Sequence, residues 1–142
     1  KVRRCVEELQ MCDCVVSDAR VTDSLLNTTS ESLFQLMHVR RGRLSNLLWR
    51  NGYTGCCMAF KREVLSKALP FPTDIPMHDI WIGNVAAFCG RLHFINDRLL
   101  LFRRHDTTVS CNGKGSNYSL WQKLSFRWHT LKNIVKLKTG IR

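Results

Sequence analysis

The apolar positions along the chain change period several times, and each change marks an element. Val2, Val6 and Leu9 recur at helical spacing, which predicts that residues 1–11 are the end of an amphipathic helix. Cys14, Val15 and Val16 form a short apolar run, which predicts a buried strand stopping at Ser17 and Asp18. Residues 19–31 are rich in Thr, Ser, Asp and Asn and read as a loop. Helical pieces follow over residues 32–38 and 44–50. Asn51-Gly52 ends the second, since both residues tolerate a left-handed closing conformation. Residues 56–60 read as another short buried strand, and 62–68 as a helix stopped by Pro70 and Pro72. After Pro76 a helix opens at His78-Asp79, with Ile80, Trp81, Val85 and Phe88 as its apolar positions and Gly90 as its cap. Residues 92–95 and 99–102 read as strands joined by a tight turn at Asn96-Asp97-Arg98. A polar loop with two glycines spans 104–117, and the longest helix runs over 118–137.

Strands interleaved with helices predict an α/β layer structure. The strands are few and the helices many, as at the edge of a larger sheet. The length of 142 residues suits one modest domain. A hydrophobic fraction of 44% with 23% charged residues excludes a disordered chain. The longest apolar stretch, over residues 80–90, falls short of the roughly 18 residues that span a bilayer. The chain starts at Lys1 within a helical pattern and shows no signal peptide, so it reads as a soluble piece of a longer protein. None of the seven cysteines forms a CxxC pair, and most sit in apolar runs. They read as reduced thiols in a cytosolic compartment, without zinc-ligand spacing.

Charge changes the picture more. The formal net charge is +11, and residues 118–142 hold six Lys and Arg and no Asp or Glu. Such a balance favours anionic partners. A basic nucleic-acid-binding module is therefore an alternative reading. Against it, no helix-turn-helix, finger or single-strand-binding signature occurs, and the basic residues are not interleaved with aromatics on strands.

Three polar residues stand where a strand or loop meets a helix or turn: Asp18, Asp79 and His105. Ligands of open α/β sheets sit at the carboxyl ends of strands, which makes all three candidate site residues. Each also has a structural reading. Asp79 suits a helix cap or first-turn acid, Asp18 a turn former, and His105 a surface loop. Arg103 and Arg104 suit a solvated strand end.

Together, however, the segments YTGCCMAFKREVL (53–65), PMHDIWIG (76–83) and RLHFINDRLLLFRRH (91–105) resemble the acceptor half of bacterial family 2 glycosyltransferases. The likeness is to the rhamnosyltransferase-like members that act on cell-surface polysaccharides. Ser17-Asp18 in VVSDARVTD also fits the strand of that family ending in Ser-Asp.

The resemblance implies a partial type-A glycosyltransferase fold, the second half of a Rossmann-like mixed sheet. Residues 1–117 would be the acceptor-side half of the catalytic domain, and 118–142 a basic amphipathic helix. The donor-nucleotide units and an Asp-x-Asp metal motif would precede Lys1, and Lys1-Val2 looks like the Lys-Val that follows that motif. The implied activity is inverting sugar transfer from a nucleotide-sugar donor to a glycan or lipid-linked acceptor, at the cytoplasmic face of the membrane. Asp79 matches the family's base, which takes the acceptor hydroxyl's proton. Tyr53, Thr54 and Trp81 would line the acceptor sugar site, the aromatic faces stacking on sugar rings, with Gly55, His78 and Asp18 also in contact with substrate. His105 matches the position that faces the metal and diphosphate, with Arg103 and Arg104 beside it. The divalent metal, Mg or Mn, would take its main ligands from the preceding half. Where the family usually shows Gly-Asn-Asn after the histidine, this chain has Asp106-Thr107-Thr108.

The last helix carries Leu120, Trp121, Leu124, Trp128, Leu131, Ile134 and Val135 on one side, and Lys123, Arg127, Lys132 and Lys136 on much of the rest. A basic helix with tryptophans on its apolar side suits a membrane interface. The competing reading packs that stripe on the domain and leaves the lysines solvated.

Overall fold

The computed structural model describes residues 1–75, 77–104 and 118–140. These residues form a mixed α/β structure with a four-stranded mixed sheet and, among the described residues, six α-helices. None of those helices is long and apolar enough to cross a membrane. In chain order the elements are α1 (Val2–Glu8), β1 (Cys14–Thr22), β2 (Thr28–Ser30), α2 (Leu33–Leu36), α3 (Arg43–Leu48), β3 (Met58–Phe60), α4 (Arg62–Ala68), α5 (His78–Cys89), β4 (Leu92–Arg103) and α6 (Leu120–Thr139).

Strand β1 is the centre of the sheet. One edge pairs with β4 in parallel along its whole length. The other is shared by two short antiparallel partners, β3 opposite Cys14–Val16 and β2 opposite Val21 and Thr22. Every residue of β1 except Arg20 is buried. The strand does not stop at Ser17 and Asp18, as the apolar pattern predicts, because the polar side chains there find partners. Ser17 Oγ donates to the Cys57 carbonyl at 3.3 Å, and the Asp18 carboxylate accepts three hydrogen bonds. A paired polar group carries little burial penalty, so the ladder runs on through it. The segment 19–31 is thus half strand: β1 continues to Thr22 and returns as β2 through a turn in which Asp23 Oδ1 accepts from the amides of Leu25 and Asn27.

β4 also departs from expectation. It is one strand of 12 residues, with no hairpin at Asn96-Asp97-Arg98. The register jumps there: Ile95 lies opposite Ser17, but Arg98 lies opposite Asp18, so residues 96 and 97 bulge from the ladder. The bulge is tied down from outside, since Asn96 accepts from Arg41 and Asp97 pairs with Arg4 at 3.5 Å. The predicted strand over 56–60 shortens to β3, preceded by a single 3-10 turn over Gly55–Cys57. Gly52 does not use a left-handed conformation. It is needed for close approach, because a Cβ there would lie 2.5 Å from Val39 Cγ1.

Both sheet faces are covered. Val15 and Ile95 pack with Cys5 of α1, while Cys14 packs with Val64 of α4 and Ala86 of α5. α6 opens with a capping box of Ser119 and Gln122 and docks through Ile134, which joins Ala68, Trp81 and Val85 in one apolar cluster. Asp74 anchors the same helix, accepting from Asn133 Nδ2 at 2.7 Å and pairing with His129 Nδ1 at 2.7 Å. α6 therefore shares a core with the rest of the chain.

Candidate active site

Two of the quoted motifs meet at one carboxylate. Asp79 lies in the first turn of α5, half-buried, and its Oδ2 accepts the Gly55 amide at 3.2 Å. Oδ1 accepts the amide of Ile80 at 2.8 Å. The N-cap of α5 is Met77, so Asp79 holds the 3-10 turn against the helix start instead of capping it. Thr54 is half-buried beside this contact, and its carbonyl accepts the Cys57 amide at 2.8 Å. His78 is exposed one residue before Asp79, edge-to-face on Phe71.

The same turn carries an exposed thiol. Lys1 Nζ donates to the Cys56 carbonyl. A hydrogen bond from the neighbouring Cys57 thiol and the Lys1 ammonium pull Cys56 down to about 6, against burial and the Asp79 charge. Cys57 is fully buried and is pushed far upward, first by its bond to Cys56 and then by burial. The apolar run that holds both cysteines does not distinguish them. Adjacent residues in an extended or 3-10 segment point different ways, so only one of the pair enters the core. That geometric fact is the signal that distinguishes Cys56.

The two aromatics expected to stack on sugar rings are core residues. Tyr53 is 2% exposed, with its ring stacked on Phe94 at a centroid distance of 5.9 Å. Trp81 is 3% exposed, and its Nε1–H donates to the Ala68 carbonyl at 2.9 Å. Neither offers a free face to a ligand. Tyr53 instead explains the glycine of HDIWIG: a Cβ on Gly83 would lie within 2.8 Å of three carbons of the Tyr53 ring. The Tyr53 hydroxyl is buried without a partner among the described residues, and burial pushes its ionisation upward.

Asp18 is likewise a structural tie. It is mid-strand and 4% exposed. Its Oδ2 accepts from Ser32 Oγ at 2.6 Å, and its Oδ1 accepts from the amides of Phe34 at 3.0 Å and Ala19 at 2.8 Å. Ser32 in turn caps α2 by accepting the Gln35 amide. Asp18 borders a cleft of about 750 Å³ with His38, Arg41 and Arg98, on the α2 side and apart from Asp79. The bulge in β4 is what brings Arg98 there, and the sequence carries no local sign of it. Arg103 is exposed at the end of β4, in register with Thr22, and the half-buried Arg104 donates its amide to the Thr22 carbonyl at 2.8 Å. His105 and Asp106-Thr107-Thr108 lie outside the described residues. The structure thus brings together Thr54, Gly55, His78 and Asp79, and leaves Asp18 in a network of its own.

Among the described residues no three His, Cys, Asp or Glu side chains group as a metal site. Asp18 and Asp79 sit in separate hydrogen-bond networks, so the two carboxylates do not combine into one oxygen cage for a divalent ion. No family model matches the chain, and comparisons with curated proteins and with solved structures find no match. What fold and site define is a class: a mixed α/β domain with a half-buried carboxylate clamped between a helix start and a 3-10 turn.

Proposed function

We propose that the chain is the acceptor-side part of an inverting, nucleotide-sugar-dependent glycosyltransferase of the type-A fold, with Asp79 as its base. The observation that carries the reading is the Asp79–Gly55 contact, which unites two of the segments behind the family resemblance at one carboxylate. In the reaction, the acceptor hydroxyl oxygen attacks the anomeric carbon and the bond from that carbon to the diphosphate breaks. The hydroxyl proton passes to Asp79. The two amides that hold the carboxylate fix its direction, so it contributes by positioning as well as by proton uptake. Thr54, Gly55 and His78 border the acceptor, and Arg103 and Arg104 supply positive charge for the leaving diphosphate. The acceptor is a glycan or a lipid-linked sugar at the cytoplasmic face of a membrane, and donor recognition and the metal belong to preceding sequence.

The test is Asp79→Asn in a protein extended upstream to include the preceding coding sequence. The substitution keeps size and one acceptor oxygen. Sugar transfer falls by about 100-fold or more, with nucleoside diphosphate affinity nearly unchanged. Transfer within about threefold of the parent protein removes Asp79 from the chemistry.

A further inference from the structure

α6 has two apolar sides, and only one is used. Ile134 and Thr130 face the domain and are buried. Leu120, Trp121, Leu124, Trp128 and Val135 are exposed and fall within an arc of roughly 100° at 100° per residue, most of it turned away from that contact. Leu120 is 77% exposed, Trp121 82% and Trp128 64%. The predicted stripe is thus divided: Ile134 packs on the domain and Leu131 is half-buried, while its outer part stays exposed. α3 and its C-cap add Leu44, Leu48 and Trp49, all exposed, and Arg127 joins α6 to this end by donating to the Trp49 carbonyl at 2.6 Å. Isolated exposed apolar residues are ordinary, but a continuous stripe with two tryptophans is not.

The charge around the stripe identifies its occupant. Lys132 and Lys136 flank it on one side and Lys123 and Arg127 on the other, and α6 contains no acidic residue. Arg40 lies over the Trp49 ring at 5.8 Å. A protein partner of ordinary composition needs no such uniform sign. Nucleic acid would use the charge but has no place for five exposed aliphatic and indole side chains along one helix side. An anionic bilayer uses both: indoles and leucines enter the boundary below the headgroups, and Lys and Arg reach up to the phosphates. We infer that the α6 stripe, extended by Trp49 at the end of α3, is a peripheral docking surface for an anionic lipid bilayer. The inference rests on α6 and α3 alone and stands whether or not Asp79 acts as a base.

The experiment is co-sedimentation of the 142-residue chain with vesicles of phosphatidylcholine containing roughly one-third phosphatidylglycerol, against phosphatidylcholine alone. Binding is expected to the first and not the second, falling as salt screens the surface. Trp121→Ser/Trp128→Ser, both at exposed positions, lowers binding by about ten-fold or more. Lys132→Gln/Lys136→Gln lowers it by about five-fold for each charge removed. Full binding by the tryptophan variant would reduce the interaction to charge alone and overturn the proposal. So would binding that duplex DNA competes away without dependence on the tryptophans. A concentration-dependent dimer that Trp121→Ser/Trp128→Ser dissolves, without vesicle binding by the parent chain, would assign the stripe to a second copy and overturn it too.

Discussion

Gly83→Ala separates tertiary packing from local propensity, because the two predict opposite signs. Gly83 lies inside α5, where replacing glycine by alanine stabilises a helix by about 1 kcal/mol. The added Cβ, however, would sit within 2.8 Å of three carbons of the Tyr53 ring, against an ordinary carbon contact of about 3.5–4.0 Å. The ring has little room to retreat, being 2% exposed and stacked on Phe94. Overpacking of this kind costs about 1–3 kcal/mol, and an overlap across a whole ring edge belongs at the upper end. The net expectation is a destabilisation of about 2 kcal/mol. With a urea slope of about 2 kcal/mol per molar, the unfolding midpoint of the chain falls by about 1 M. Gly55→Ala is the control two residues beyond Tyr53. Its Cβ would meet Asp79 Cβ at an ordinary 3.4 Å, so its stability stays within about 0.5 kcal/mol of the parent. A Gly83→Ala midpoint equal to or above the parent's would show that helix propensity wins and that Tyr53 does not dictate the glycine.

Two further outcomes concern titration. Alkylation of Cys56 by iodoacetamide should reach half its maximal rate near pH 6, well below the about 8.5 of a free thiol, and Cys57→Ala should move that midpoint up; a Cys56 midpoint at the free-thiol value would deny the Cys57 and Lys1 contacts. Burial pushes the Asp74 carboxyl up, but hydrogen bonds from Asn133 and His129 outweigh it and leave Asp74 below its ordinary value. Its folded-state ionisation is thus depressed, so its hold on α6 is complete above the unfolded value of about 3.9 and is lost as pH falls further. Amide exchange in the last turns of α6 should rise below about pH 4 in the parent chain, and at neutral pH in Asp74→Ala; unchanged exchange in that variant would refute the anchor.

Much of the fold was legible in apolar periodicity. α4, α5 and α6 lie close to where the spacing places them, because each carries its own stop or start: Pro70 after α4, His78-Asp79 at α5, the Ser119 cap at α6. The contact of Gly55 with Asp79 joins residues 24 positions apart, and no local pattern in the chain announces it. What the chain's own pattern misreads are the places where a distant partner satisfies a polar residue. Asp18 and Asn96-Asp97 look like strand ends because, taken locally, a polar group stops an apolar run. Ser32 and the Phe34 amide come from 14 and 16 residues away to fill the Asp18 carboxylate, and Arg41 and Arg4 hold the bulge from 55 and 93 positions away. Burial of Tyr53 and Trp81 is decided in the same way, by Gly83 and by the Ala68 carbonyl, and so is the exposure of the α6 stripe, which depends on which of its two apolar sides Asp74 pulls inward. Period and caps are properties of neighbours in sequence. Satisfaction of a buried polar atom, and the choice between two apolar faces, are properties of neighbours in space, and only the folded chain brings those together.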